Sequence, residues 1–147
     1  MTKNILNNAL SLPCGVIIPN RIAKSAMTEG MADKYDQVTQ KHIDLYEQWS
    51  KGGAGLLITG NVMIDARFLE RPGNVVVDKN VDVDKLKKWA EAAKECGNQV
   101  WVQINHPGRQ STRRSTKQPL APSEVQLKLA GNFARPKAME QNDINDV

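Results

Sequence analysis

Three short clusters of polar residues carry groups that can bind a ligand or move a proton. Residues 25–28 end in a threonine hydroxyl, residues 59–61 join a hydroxyl to an amide, and residues 103–109 contain an amide, an imidazole and a guanidinium. A primary amide both donates and accepts hydrogen bonds, and a histidine near an arginine is a candidate for acid–base chemistry. Each group alone is also an ordinary turn, strand-end or loop residue. Its meaning depends on the elements that position it.

The first segment with a clear pattern predicts a hairpin. Three short apolar runs are separated by Pro13-Cys14-Gly15 and by Pro19-Asn20. Turn residues between apolar runs predict a hairpin over residues 10–18 and a further strand over about residues 21–25. The first polar cluster therefore begins where this strand ends.

A helix is predicted after this strand, because residues that can face a core recur at helical spacing. They are Val38, His42, Leu45, Tyr46 and Trp49. Thr39 can cap this helix, and Gly52-Gly53 ends it. His42 lies on the inner edge of the helix, where packing is a more common role than ligand binding.

Two further strands and one helix follow. Residues 54–60 form a short apolar run between glycines, which is typical of a strand buried on both faces in a parallel sheet. After a long loop through Arg71-Pro72-Gly73, a helix is predicted to start near Asp82, and Gly97 follows it. Its inward residues are Leu86, Trp89, Ala90 and Ala93. A third strand is predicted over residues 99–104.

Strands that alternate with helices of this length predict right-handed βαβ units around a parallel sheet. In a βα barrel, functional residues project from the carboxyl ends of the strands, which is where all three polar clusters lie. After Asn105 no strong periodicity is present until a weak helical start at residues 139–147. A long segment of this kind indicates either a functional loop or a wrong assignment.

Four motifs in this order resemble the opening of the old yellow enzyme family of NAD(P)H:flavin oxidoreductases. They are Pro19-Asn20-Arg21-Ile22 with Ala26-Met27-Thr28, Gly53 through Gly60, Val102 through Arg109, and Ala121-Pro122-Ser123. The resemblance covers about residues 8–147. It implies an α/β fold, the (β/α)₈ TIM barrel, of which residues 1–147 are the N-terminal segment of one domain: a bottom hairpin, three strands, two helices and a long loop.

The resemblance also implies a cofactor and a reaction. The family holds FMN without a covalent bond, takes hydride from NAD(P)H, and passes it to an activated alkene or a related acceptor. Carried over to this sequence, the backbone of Ala26 and Met27 lines the isoalloxazine ring, and the Thr28 hydroxyl reaches its N5/O4 edge. The Gln103 amide pairs with the pyrimidine edge. Asn61 stands where family members commonly have another residue, so its flavin contact is expected through the backbone.

Other polar residues receive weaker assignments. His106 and Arg109 form a His-x-Gly-Arg element, for which a structural or loop-ordering role is favoured over acid–base catalysis. Arg67, Arg71 and Asn74 are left unassigned. Core packing is expected to explain Trp49, Trp89 and Trp101. No catalytic residue and no metal ligand is assigned, because the family's substrate-gripping His/Asn or His/His pair and its tyrosine lie on later strands.

Three strands of a barrel leave sheet edges open, so the chain is expected to be poorly stable alone. Two explanations compete: a fragment of a reductase that is inactive alone, which the sequence favours because it stops in a helix start, or a catalytically silent partner or assembly module. The expected partners are a small-molecule substrate and either a second copy or the missing C-terminal half of the barrel.

Composition excludes several other classes. With 40% hydrophobic and 24% charged residues, the chain is expected to be globular and, lacking a long apolar run, cytoplasmic without a membrane span. Cys14 and Cys96 match no metal or redox spacing and are expected to be free, buried thiols. The net charge of +4 includes a basic stretch at residues 109–117 without aromatics. A solvated loop explains it better than nucleic-acid binding.

Overall fold

The structure is a computed structural model that describes residues 4–147. These residues form two compact units. The first contains residues 4–28, 38–60 and 82–103, and the second contains residues 29–37, 61–81 and 104–147. None of the helices in the described chain has the length and apolar character needed to cross a bilayer.

The first unit begins with the predicted hairpin. Strand β1 (Leu10–Ser11) pairs antiparallel with β2 (Ile17–Ile18), and Leu10 lies opposite Ile18. Strand β3 (Ala23–Lys24) then pairs in parallel with β4 (Leu56–Met63), with Ala23 opposite Leu56. Strand β6 (Gln99–Asn105) pairs with β4 as well. The prediction of a hairpin followed by a βαβ arrangement is confirmed.

Helices α1 (Gln40–Lys51) and α2 (Val83–Ala93) supply most of the aromatic core of this unit. The Tyr46 ring lies edge-on to Trp89 at 5.1 Å between centroids, and the fully buried His42 ring lies 5.5 Å from Trp89. The backbone N–H of Thr39, the N-cap, donates to His42 Nδ1 over 3.2 Å. His42 therefore closes the first turn of α1 and packs in the core, as predicted.

A buried polar pair connects the carboxyl ends of the two helices. The Ser50 hydroxyl donates to Asn98 Oδ1, and Asn98 Nδ2 donates to the carbonyl of Ala93 over 2.6 Å. The Ser50 oxygen also accepts the Cys96 N–H over 2.9 Å. Buried polar groups with partners on both helices avoid the cost of desolvation and fix how the helices pair.

Three predictions about burial are wrong. Cys14 and Cys96 are free but exposed, because both lie in turns. Ala90 is exposed, since the inward face of α2 centres on Trp89 and Ala93. Trp101 is 47% exposed, and its neighbours Val102 and Ile104 are more exposed still. Core packing therefore does not explain the tryptophan at position 101. Successive strand side chains point to opposite faces, so β6 is exposed on both faces in the described chain.

Asn20 holds β3 and β4 together through both ends of its side-chain amide. Its Oδ1 accepts the N–H groups of Ile22 (3.0 Å) and Gly55 (2.9 Å), and its Nδ2 donates to the carbonyl of Gly53 (2.8 Å). A Cβ on Gly55 would lie only 2.7 Å from the Asn20 carbonyl oxygen. Glycine is therefore required there for the strands to approach.

The second unit is ordered where the sequence has no clear period. The end of β4 pairs in parallel with β5 (Val75–Val76), which the sequence did not predict. Strand β7 (Leu120–Ala121) pairs in parallel with β8 (Lys137–Ala138), and α3 (Gln141–Asn145) lies within the predicted helical start. Two-residue strands are too short to leave a sequence pattern.

The Asn20 interaction yields the first prediction. We expect Asn20→Ala to lower the free energy of unfolding by about 1–3 kcal/mol, because it removes the three hydrogen bonds that the Asn20 amide makes to Ile22, Gly53 and Gly55. Urea unfolding followed by tryptophan fluorescence measures this change. Asn8→Ala, which removes an exposed amide in the same unit, is the control. Equal effects of the two substitutions would contradict this role of Asn20.

Candidate functional site

The candidate site in the first unit lies where β3 ends, at the level of Thr59 within β4 and Gln103 within β6. β3 and β4 are parallel neighbours, and β6 flanks β4 on its other side. The Gln99 N–H donates to the Gly55 carbonyl, and the Gln103 N–H donates to the Thr59 hydroxyl, so the two strands advance in the same direction. Residues 25–28, Thr59 and Gln103 therefore come to one edge of this sheet.

Thr59 positions the backbone of Gln103. Its hydroxyl oxygen accepts the Gln103 N–H over 3.0 Å and donates to the carbonyl of Gly60 over 2.9 Å, and the side chain is only 2% exposed. A buried hydroxyl with both roles satisfied is geometrically fixed. The sequence predicts Thr59 as a strand-end residue, but no local pattern predicts that its hydroxyl accepts the Gln103 N–H.

The residues expected to line a flavin differ in their exposure. Ala26 and Thr28 are half-buried, and Met27 is 58% exposed in an extended segment directly after β3. Gln103 is half-buried on β6. The first unit thus offers an exposed apolar side chain flanked by a hydroxyl and an amide at the carboxyl edge of the sheet. That set of groups fits a planar ligand with a polar rim.

Asn61 belongs to the second unit, on the later part of β4. Its carbonyl oxygen accepts Nδ2 of the buried Asn74 over 3.5 Å. Asn74 Oδ1 also accepts the Arg71 N–H over 2.8 Å. Asn74, left unassigned from the sequence, is therefore a residue that holds the loop before β5 against β4.

His106 also lies in the second unit, beside Asp65, Arg67 and Phe68. Its Nδ1 accepts the Gly108 N–H over 3.3 Å, so the neutral ring carries its proton on Nε2, which is buried and has no partner in residues 4–147. The ring centroid lies 5.6 Å from that of Phe68. Burial lowers the pKa of His106, nearby Asp65 opposes this shift, and Arg67 adds to it.

Asp65 and Arg67 form a tight ion pair beside this histidine. Arg67 donates from Nε to both carboxylate oxygens of Asp65, at 2.9 and 3.0 Å, and from Nη2 at 2.6 Å. Burial alone would raise the pKa of Asp65, but these hydrogen bonds and the Arg67 backbone N–H together lower it. The Asp65 carboxylate therefore binds Arg67. The contact from His106 to the Gly108 N–H is of the kind that orders a loop. Arg109 is exposed.

Parallel strands that alternate with helices, with polar groups toward the carboxyl ends of the strands, are typical of a βα barrel. The family model for the NADH:flavin oxidoreductase / NADH oxidase family matches residues 14–147. The chain therefore belongs to this family. A similar curated protein, the NADH-dependent flavin oxidoreductase iliE of Hypocrea jecorina, is 34% identical over 94% of this chain and 39% of its own length.

Solved structures show the same fold. An old yellow enzyme homologue from Zymomonas mobilis matches 95% of this chain and 41% of its own, with a TM-score of 0.80 and 21% identity. A 2-naphthoyl-CoA reductase complex matches 97% of this chain and 23% of its own, with a TM-score of 0.87 and 17% identity. The predicted partial TIM barrel and the old yellow enzyme resemblance are confirmed, and the chain spans well under half the length of these relatives.

The depressed pKa of His106 predicts a pH dependence. The folded state binds this proton less readily than the unfolded state, so stability that is fully present above the ordinary pKa of about 6.5 is lost as pH falls below that value and through the lower folded-state pKa. We expect the urea midpoint to drop between about pH 7.5 and about pH 5.5, and to drop less in His106→Gln. Asp65, whose pKa is lowered from 3.8, titrates below this window. An equal drop in both proteins would contradict the assignment.

Proposed function

We propose that this chain supplies part of the FMN site of an old yellow enzyme-type oxidoreductase. In this reaction hydride passes from NAD(P)H by way of FMN to an activated alkene or a related small-molecule acceptor. The observation that carries the proposal is the position of Gln103, whose backbone is fixed by buried Thr59 at the carboxyl edge shared with residues 25–28. Family membership supports a flavin and NADH.

Each site residue has a chemical task in this proposal. The Gln103 amide offers the donor and the acceptor that the pyrimidine edge of a flavin requires. The backbone of Ala26 and Met27 lines the ring, and the Thr28 hydroxyl donates toward its N5/O4 edge. A donor at that edge stabilises the electron-rich reduced ring and raises its potential. A flavin contact through the Asn61 backbone stays a prediction from the family resemblance.

When bound, FMN supplies the two-electron hydride chemistry, and the chain's own residues bind and orient it. No described residue is assigned as a proton donor to the acceptor. Three expectations stay predictions. They are that residues 1–147 are one segment of a single barrel domain, that the protein is cytoplasmic, and that it associates with a second copy or a C-terminal barrel half. In the alternative, the chain is a catalytically silent assembly module, which has the same fold but binds no flavin.

Flavin titration of the purified full chain tests this proposal. We expect riboflavin and FMN fluorescence to be quenched on binding, and Gln103→Ala to weaken riboflavin binding about tenfold, because a paired amide contributes about 1–2 kcal/mol. Gln110→Ala removes an exposed amide of the second unit and is expected to change affinity less than about twofold. Riboflavin lacks the phosphate, so the comparison isolates the ring site.

Two results would count against the proposal. If neither flavin binds at micromolar protein, the claim that this chain holds flavin by itself fails. If flavin binds but Gln103→Ala and Gln110→Ala have equal effects, the ring does not lie at this strand edge.

A further inference from the structure

The second unit contains a groove that the flavin site does not use. It has a volume of about 440 Å³ and is lined by Arg71, Pro72, Thr112, Arg114, Asn132 and Phe133. These residues come from three separate chain segments. From the sequence, Arg71 has no assigned role and residues 109–117 are expected to form a solvated loop, whereas in the structure Arg71 and Arg114 line the same groove.

Backbone hydrogen bonds hold the three segments together. The Thr112 N–H donates to the Glu70 carbonyl over 3.2 Å, and the Arg113 N–H donates to the Asn132 carbonyl over 3.0 Å. Thr112 and Phe133 also form an antiparallel bridge. Arg113 Nε donates to the Phe133 carbonyl over 3.0 Å. The walls are therefore fixed before a ligand arrives, which lowers the entropic cost of binding.

Two arginines with different surroundings line the groove. Arg71 is paired with Glu70, with 2.5 Å between Nη2 and Oε1, so its charge is partly neutralised. Arg114 is exposed, and no carboxylate lies within 4.0 Å of it among residues 4–147. A neighbouring groove of about 370 Å³ is lined by Arg113, Lys117 and Arg135 together with Ala134. Of these cations, Arg135 has Glu124 at 3.6 Å.

The lining matches the parts of a nucleotide. A guanidinium without a protein partner binds phosphate oxygens in a bidentate geometry. Amide and hydroxyl groups of Asn132 and Thr112 can donate to further oxygens, and the half-buried Phe133 ring offers a face for a base. Positive charge, short polar donors and one aromatic ring in a groove of this size favour a mononucleotide over a long anionic polymer.

We propose that this groove binds the diphosphate of an adenine nucleotide, with Arg114 as the main phosphate ligand. The adenosine diphosphate group occurs in NADH and in coenzyme A thioesters alike. Assigning the groove to either of these two ligands rests on the proposed function, whereas binding of the diphosphate itself does not. The flavin-free chain is therefore sufficient for the test.

Calorimetric titration of the full chain with ADP, adenosine, NADH and coenzyme A is the experiment. We expect ADP to bind at least about tenfold more tightly than adenosine, and Arg114→Gln to weaken ADP binding about tenfold, as loss of one charge-assisted phosphate contact implies. Lys128→Gln removes the same charge from an exposed site of the same unit outside the groove lining. It is expected to change affinity less than about twofold.

The four titrations distinguish the possible ligands. If NADH binds more tightly than ADP and coenzyme A, the groove is assigned to the reductant. If coenzyme A binds more tightly than ADP and NADH, the groove is assigned to a thioester substrate. The proposal is overturned if ADP does not bind, if adenosine binds equally well, or if Lys128→Gln and Arg114→Gln weaken binding equally. Displacement of ADP by a single-stranded RNA at lower concentration would overturn it in favour of a polymer surface. Riboflavin affinity, measured separately, is expected to be unchanged in Arg114→Gln.

Discussion

The close approach of β3 to β4 is the constraint on which the candidate flavin edge depends. One side chain, Asn20, satisfies backbone groups of Ile22, Gly53 and Gly55, and the approach leaves no room for a Cβ on Gly55. Because the hydrogen bonds fix where β3 begins relative to β4, they also fix where β3 ends. Residues 25–28 therefore emerge at a defined position on the carboxyl edge of the sheet.

Thr59 extends this order to the third strand. Its hydroxyl, buried on β4, replaces a backbone acceptor for the Gln103 N–H and so positions the end of β6. Both faces of β6 are less protected, since Trp101 on one face and Val102 and Ile104 on the other are all about half or more exposed in the described chain. Exposed apolar surface of this kind is typical of a contact surface.

Much of this arrangement could be predicted from the sequence, because helical periodicity and glycine punctuation are local signals. The spacing of His42, Tyr46 and Trp49 predicts α1, and the apolar run before Gly60 predicts β4. Some errors have non-local causes. Exposure of Trp101 depends on what covers β6, and two-residue strands such as β7 and β8 arise from pairing partners far apart in sequence. The exposure of Cys14 and Cys96 has a local cause, because both lie in turns.

The candidate site likewise contains residues that the sequence predicts and residues whose roles only the structure shows. Ala26, Met27, Thr28 and Gln103 were named from motifs that resemble a family, whereas the roles of Asn20, Thr59 and Asn74 emerge only from hydrogen bonds between segments. The groove around Arg114 has no local sequence signature, because residues 71, 112–114 and 132–133 meet only after folding. A basic stretch in a sequence cannot show whether its charges face solvent or share a groove.

The central claim is that a flavin ring lies against the carboxyl edge formed by β3, β4 and β6. The most direct measurement is a riboflavin titration of the ¹⁵N-labelled chain followed by amide resonances. The account predicts that the largest shifts occur at Ala26, Met27, Thr28 and Gln103. Saturable riboflavin binding that leaves these four resonances unchanged would contradict it.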